Sequence, residues 1–221
     1  MQDAEQKLTL LEDSAESAVN SIGMRVRSLR TARGLGLREL ARRTGITASM
    51  LSQIERGRVN PSVGTLFRLA DCLGTTTDYF FQGESEKEAA DIVVRQESRA
   101  RIELSGGVVW ERLTPTDEHD IEFMHTIYPP GAVSAPELMR HSGRDYGVLI
   151  RGRLNVTVGF ATHTLNPGDA IAFDASMPHR LANPGPGEAE TIWIVLDRNL
   201  TATSRYSSSF ESTDNRRKQL P

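Results

Sequence analysis

Apolar side chains between residues 21 and 83 recur at three- and four-residue steps, whereas beyond residue 91 they fall in short runs cut by Gly and Pro. The first spacing is that of helices, the second that of strands. In the first part Leu37, Leu40 and Ala41 mark one helix face and Leu51 and Ile54 another, with Gly45-Ile46 as the break between them. Gly36 can serve as N-cap, and Glu39 sits where the first-turn amides and the helix dipole favour an acid. Gly45 can take the left-handed conformation that ends a helix, and Thr47 offers a hydroxyl to cap the next one. The pattern predicts helix, turn, helix.

With Leu51 and Ile54 turned inward, the second helix presents Ala48, Ser49, Ser52, Gln53 and Arg56 on its opposite arc. These side chains suit the edges of base pairs. Gln53 can bond adenine in bidentate fashion, Ser49 and Ser52 can donate or accept, and the Ala48 methyl can meet a thymine methyl. Arg56 can reach a phosphate or a guanine. A solvated helix face would use similar residues, but turn, core and outer arc here agree with one docking geometry.

The segment from Ser21 to Phe81 resembles the helix-turn-helix domain of lambda-type (Xre-like) bacterial repressors. The resemblance is carried by Leu40-Ala41, Gly45-Ile46-Thr47, Ser52 to Gly57 and Asn60-Pro61-Ser62. It implies an all-α domain of five helices, expected at Gly23 to Arg33, Leu37 to Thr44, Ala48 to Arg56, Ser62 to Leu73 and Thr77 to Phe81. The third helix would read the major groove, so Thr47, at its cap, joins the candidate DNA-contacting residues.

Charge separates the parts of the chain. Residues 21–83 hold ten Arg against four acids, a net of +6, and residues 84–200 hold eleven Lys and Arg against eighteen acids, a net of −7. Arg38, Arg42, Arg43 and Arg58 flank the reading helix or open its neighbour and are the candidate phosphate contacts, although each alone could be a solvated surface residue. Residues 1–20 and 199–221 read as tails, the first as disordered, and the charged stretch 84–90 reads as a linker. No apolar run approaches the ~20 residues of a membrane span, and the amino terminus is acidic and amphipathic instead of a secretory signal. Cys72, the one cysteine, falls on an apolar helical period and reads as a buried small residue. These features point to a disulfide-free cytoplasmic protein with no membrane partner.

From residue 91 to 198 the pattern is all-β. Strands are expected at Ile92 to Arg95, Val108 to Leu113, Ile121 to Tyr128, Tyr146 to Ile150, Leu154 to Phe160, Ala170 to Phe173, His179 to Asn183 and Thr191 to Leu196. Many short strands in about a hundred residues favour a jelly roll or small barrel whose interior can hold a ligand. Pro130-Gly131, His141, Asp145, Gly152, Pro167-Gly168-Asp169, Phe173, Pro178-His179 and Asn183 resemble the paired motifs of the cupin fold. By that resemblance Met139 stands where the first metal-binding His belongs, His141 at the second, Asp145 at the Glu and His179 at the last. His141, Asp145 and His179 still form a two-His, one-carboxylate set of the kind that holds Fe(II), and Zn, Mn or Ni are alternatives. The same side chains, with Tyr128, Met139, Arg140 and Asn183, could instead bind an organic effector directly. Structural roles for His141 and His179 at a polar barrel mouth are the third reading. Of the other histidines, His125 lies on a strand with access to the cavity, and His163 belongs on a surface hairpin.

A helix-turn-helix domain followed by one cupin domain resembles a large group of bacterial transcription regulators in which the barrel senses a small molecule. The resemblance implies a homodimeric repressor on a palindromic double-stranded operator. Its competitor is an enzyme, since a non-haem-iron epoxidase of a phosphonate antibiotic pathway has the same domain order. An enzyme, however, has no need of a groove-compatible third helix.

Overall fold

The computed structural model describes residues 22–81, 92–115 and 121–196. The expected tails and the 84–90 linker lie outside the described residues, as do the boundaries drawn around them.

Among the described residues the helical half contains four α-helices: α1 (residues 22–32), α2 (Leu37–Thr44), α3 (Ala48–Glu55) and α4 (Val63–Leu73). The expected break holds in detail. Gly45 adopts φ +69° and closes α2 by donating to the carbonyls of Ala41 and Arg42, and the Thr47 hydroxyl accepts from the Met50 amide at 3.1 Å to open α3. Leu40, Ala41, Leu51 and Ile54 are all buried. The fifth expected helix is a 3₁₀ turn, Thr77–Phe81, so the count of five α-helices is corrected to four. Its five residues are too few for a stable α-helix, and Thr77, Asp78, Phe80 and Phe81 are all buried.

The β half has nine strands among the described residues: β1 (Arg101–Glu103), β2 (Val109–Arg112), β3 (Ile121–Tyr128), β4 (Arg144–Arg151), β5 (Leu154–Val158), β6 (Ala161–Leu165), β7 (Ala170–Asp174), β8 (His179–Ala182) and β9 (Ala189–Leu196). They form a six-stranded sheet in the order β1-β2-β3-β9-β4-β7 and a three-stranded sheet β6-β5-β8. Alternation along β4 and β9 sends Asp145, Leu149, Trp193 and Val195 inward, where they share a core with Leu154, Val156 and Leu181 of the smaller sheet. Three strand readings needed correction. Ile92 to Arg95 is not a strand, and Ile92 is 93% exposed; β1 went unread because three residues carry no usable alternation, and β6 because Ala161 to Thr164 are all exposed and leave no apolar period.

The two halves pack on each other, and their buried side chains form one continuous cluster. The first turn of α4 is set against the loop before β4. There the Gly64 amide, which no helix carbonyl can accept so close to the N-terminus, donates to the Ser134 carbonyl at 3.3 Å. A Cβ at Gly64 would stand 3.0 Å from the Ala135 Cβ and 3.1 Å from the Met139 Cβ, so a side chain here would push the two halves apart by a few tenths of an ångström. The Ser105 amide donates to Pro61 O at 2.9 Å, and Asp78 of the 3₁₀ turn pairs with Arg112 of β2 at 2.9 Å.

A fourth tie responds to pH. The Thr77 amide donates to Glu122 Oε1 of β3 at 3.0 Å, while Oε2 is sealed from solvent with no partner. Burial pushes this carboxyl up to about 7, against the Thr77 hydrogen bonds. The folded protein therefore keeps a proton that the unfolded chain releases above its ordinary value of 4.5. Stability from this group is complete below that value, falls as pH rises to about 7, and is level above it. Glu122→Gln keeps the acceptor and cannot ionise. In melts at pH 5 and pH 8 the variant is expected to remove a pH-dependent loss of up to ~2–3 kcal/mol; an unchanged slope would show that Glu122 titrates normally.

Candidate functional sites

The α3 surface has the two-sided character that groove reading demands. Its inner arc is sealed by Leu51 and Ile54, while Ser49 and Arg56 are exposed and Ala48, Ser52 and Gln53 are half-exposed. The helix is held by a residue the sequence reading missed. Glu55, the last residue of α3, is buried and receives both Arg30 Nε at 2.6 Å and a terminal Arg30 nitrogen at 2.8 Å. Arg30 also donates to the Leu35 carbonyl at 2.9 Å, so α1, the turn before α2 and the end of α3 are fixed by one guanidinium. The only sequence cue was an acid where the α3 pattern turns inward.

Among the candidate phosphate contacts, Arg42 and Arg43 are both tied to Glu39, at 2.8 and 2.7 Å. Their hydrogen bonds hold the exposed Glu39 carboxyl down at about 2. Arg56 folds back to donate from Nε to the Ser52 carbonyl at 3.0 Å. Arg38 and Arg58 are exposed. Thr47 spends its hydroxyl oxygen as the α3 cap acceptor.

The second site lies between the sheets. His141, Asp145 and His179 are buried, with donor atoms that all lie within 4.8 Å of one another. The Asp145 Oδ2 atom is 3.5 Å from His141 Nε2 and 3.8 Å from His179 Nε2. Both rings are oriented by the backbone: His141 Nδ1 is 3.0 Å from the Ser142 carbonyl and His179 Nδ1 is 2.9 Å from the Met177 carbonyl. A carbonyl only accepts, so each Nδ1 is the protonated nitrogen. In the neutral rings this leaves the Nε2 lone pairs facing the carboxylate. His141 Nε2, His179 Nε2 and Asp145 Oδ1 are buried without hydrogen-bond partners. Three convergent acceptors suit a cation, and the backbone bonds are the outer contacts that metal-binding histidines use. The donor set thus fits a divalent ion, whose bonds of about 2 Å would place ligand atoms about 3–3.5 Å apart. Without one, burial lowers the proton affinity of both rings. At His141 the Asp145 carboxylate 3.5 Å away outweighs burial and raises it; at His179 burial prevails.

Phe67 of α4 lies flat on His141, ring centroids 3.9 Å apart and planes within 4°. With Val63 it lines an interior cavity of about 20 Å³ bounded also by Met139, Tyr128 and Asp145. That volume has room for about one water. Beside the triad the space expected to hold an organic ligand is therefore occupied by Phe67 and Val63 of the helical half. Tyr128 stays protonated, its phenol pushed up by burial and the Asp145 charge. Met139 is joined to His179 by a pair of backbone hydrogen bonds at 2.8 Å. Asn183 is engaged elsewhere: its amide nitrogen donates to the carbonyls of Tyr128, Pro129 and Gly187, and its oxygen accepts from the Gly185 amide. Arg140 is exposed and lines an external cleft.

His125 faces away from this cavity. It lies on the outer surface of the large sheet, 3.1 Å from Glu111, because the inward positions of β3 belong to Met124 and Thr126. His163 lies on β6, exposed, as its hairpin placement implied. Cys72 is half-buried instead of fully buried.

Residues 26–80 match the Helix-turn-helix family and residues 124–195 the Cupin domain family. The chain is 28% identical to the HTH-type transcriptional regulator SutR of Escherichia coli, over 77% of this chain and 91% of SutR. It is 24% identical to the HTH-type transcriptional regulator PuuR of the same species, over 75% of this chain and 89% of PuuR. A crystal structure of an HTH_3 family transcriptional regulator from Vibrio cholerae superposes with a TM-score of 0.61 at 23% identity, covering 82% of this chain and 98% of that one. That likeness shows the shared fold. Among the described residues no helix is long and apolar enough to cross a membrane.

Proposed function

We propose, for a chain that belongs to the helix-turn-helix transcriptional regulators with a C-terminal cupin domain, that α3 reads an operator in the major groove while the cupin half senses a small molecule. The observation that carries the reading is the α3 surface, small and polar outside and sealed inside, on the more basic half of the chain. The domains would run 21–83 and 91–198, and the protein would work in the cytoplasm as a repressor.

One reading helix covers only a few base pairs, so a palindromic operator calls for a homodimer. The outer face of the large sheet suits a second copy. Tyr146, Val148 and Ile150 of β4 are 39, 38 and 50% exposed, and Ile192 and Ile194 of β9 lie beside them in register. His141, Asp145 and His179 would hold a divalent ion such as Fe, Zn, Mn or Ni, which when bound would supply a Lewis acid with room beside it for about one water. Because Phe67 joins α4 to His141, a change at the triad is felt by the DNA-binding half, on the scale of the ~1–3 kcal/mol typical of coupled sites. The epoxidase alternative is disfavoured: the relatives matched over three quarters of the chain are regulators.

Gln53→Ala is expected to weaken binding to the cognate operator by ~1–3 kcal/mol and to leave non-specific binding nearly unchanged. Equal losses on both DNAs in a mobility-shift titration would contradict base reading by α3.

A further inference from the structure

The geometry points to an anion-binding site in the cleft between the two halves, and thus to a carboxylate- or phosphate-bearing effector. This rests on the sensor reading above and gives it a chemistry. The interior cavity lined by Phe67, Met139 and Asp145 has room for about one water, so an organic ligand has no place in it while Phe67 lies on His141. On the outer side of His141 the surface opens into a cleft of about 560 Å³, within the range of small-molecule sites.

Both halves build its walls. Arg43 of α2 and Arg68 of α4 come from the helical half, and Arg140, His141 and Ser142 from the β half. The lining sets three guanidinium groups, of which Arg43 is also tied to Glu39 at 2.7 Å, against the single carboxylate of Asp71. Arg68 donates from one terminal nitrogen to the Thr65 hydroxyl at 3.2 Å, but its Nε is buried with no acceptor. A buried donor left unmet is costly and marks where an acceptor belongs. Guanidinium forks match the paired oxygens of carboxylates and phosphates, while a cationic amine would meet the like charges of Arg68 and Arg140. An anion held by Arg68 on one wall and Arg140 on the other would bridge the halves. Arg43 is also a candidate contact for DNA phosphates, so the anion and the operator would compete for it.

Calorimetric titration of the full-length protein with succinate, inorganic phosphate and 1,4-diaminobutane tests the site. Succinate, phosphate or both are expected to bind saturably below ~10 mM and the diamine not to bind; Arg68→Gln with Arg140→Gln is expected to weaken the anion ~10-fold or more. Arg140→Glu, an exposed single change on the β half, supplies the same test should the double variant fold poorly. Absence of saturable anion binding, binding of the diamine instead, or unchanged affinity in both variants would overturn the proposal. Operator affinity measured with and without the anion separates this from the reading beneath it. An anion that binds without altering DNA affinity keeps the cleft and removes its sensor role. A different small molecule that releases DNA, with no anion binding, keeps the sensor and removes the cleft.

Discussion

Replacing Asp78 with Asn is expected to destabilise the protein by ~3–5 kcal/mol, the cost of leaving a buried charge without its counterion. Asp78 and Arg112 are each only 5% exposed and meet at 2.9 Å across the junction of the halves. Arg112 is further held by the Thr114 hydroxyl at 2.9 Å and the Pro115 carbonyl at 2.6 Å, so it cannot swing out to water without breaking those bonds. The measured quantity is the unfolding free energy from denaturant titration. Because the pair joins two halves, the variant should also separate their transitions, with the helical signal lost first. Asp78→Leu combined with Arg112→Met should recover much of the loss, since apolar side chains of similar size often substitute for a buried ion pair at little cost. A single variant within 1 kcal/mol of the parent would show that the halves are not joined here in solution.

Phe67→Ala is expected to cost a similar ~3–5 kcal/mol, the usual range for truncating a buried aromatic ring. Phe67 is 7% exposed, stacked on His141 and edge-on to Trp110 at 5.8 Å between centroids. Part of the loss is the aromatic contact itself and the rest is the void left beside a cavity that is now only about 20 Å³. The same change uncovers the triad from the helical side, so a small neutral imidazole added to the solution should stabilise the variant more than the parent. Denaturation midpoints with and without imidazole measure both effects. A loss below 1 kcal/mol, or equal response to imidazole, would mean that α4 does not close the site.

The local features were legible in sequence because each follows from short-range spacing. Leu40, Leu51 and Ile54 announce the packed side of the reading unit, Gly45 its turn, and Thr47 its cap. His179 lies far along the chain from His141 and Asp145, and the three were joined through the cupin motif, since hydrophobic period alone does not bring separate strands together. The ties between the halves were not legible. Arg30 with Glu55, Asp78 with Arg112 and Phe67 with His141 pair residues from different elements, and nothing in local periodicity specifies such partners. One cue did exist: in α4 Val63, Gly64, Thr65, Leu66, Phe67, Leu69, Ala70 and Leu73 are all buried, and a helix apolar around most of its circumference must be covered on more than one side. The charged stretch read as a linker drew attention away from that, because a flexible connection does not prevent the parts it joins from packing.

The central claim is that this protein reads a DNA sequence through α3, and selection of bound fragments from a random duplex library by the full-length protein tests it most directly. The account predicts enrichment of a palindrome whose half-sites lie about one helical turn, ~10 base pairs, or a multiple of it apart. That enrichment should be lost in Gln53→Ala. Recovery of DNA with no shared sequence, or the same palindrome with Gln53→Ala at undiminished affinity, would contradict it.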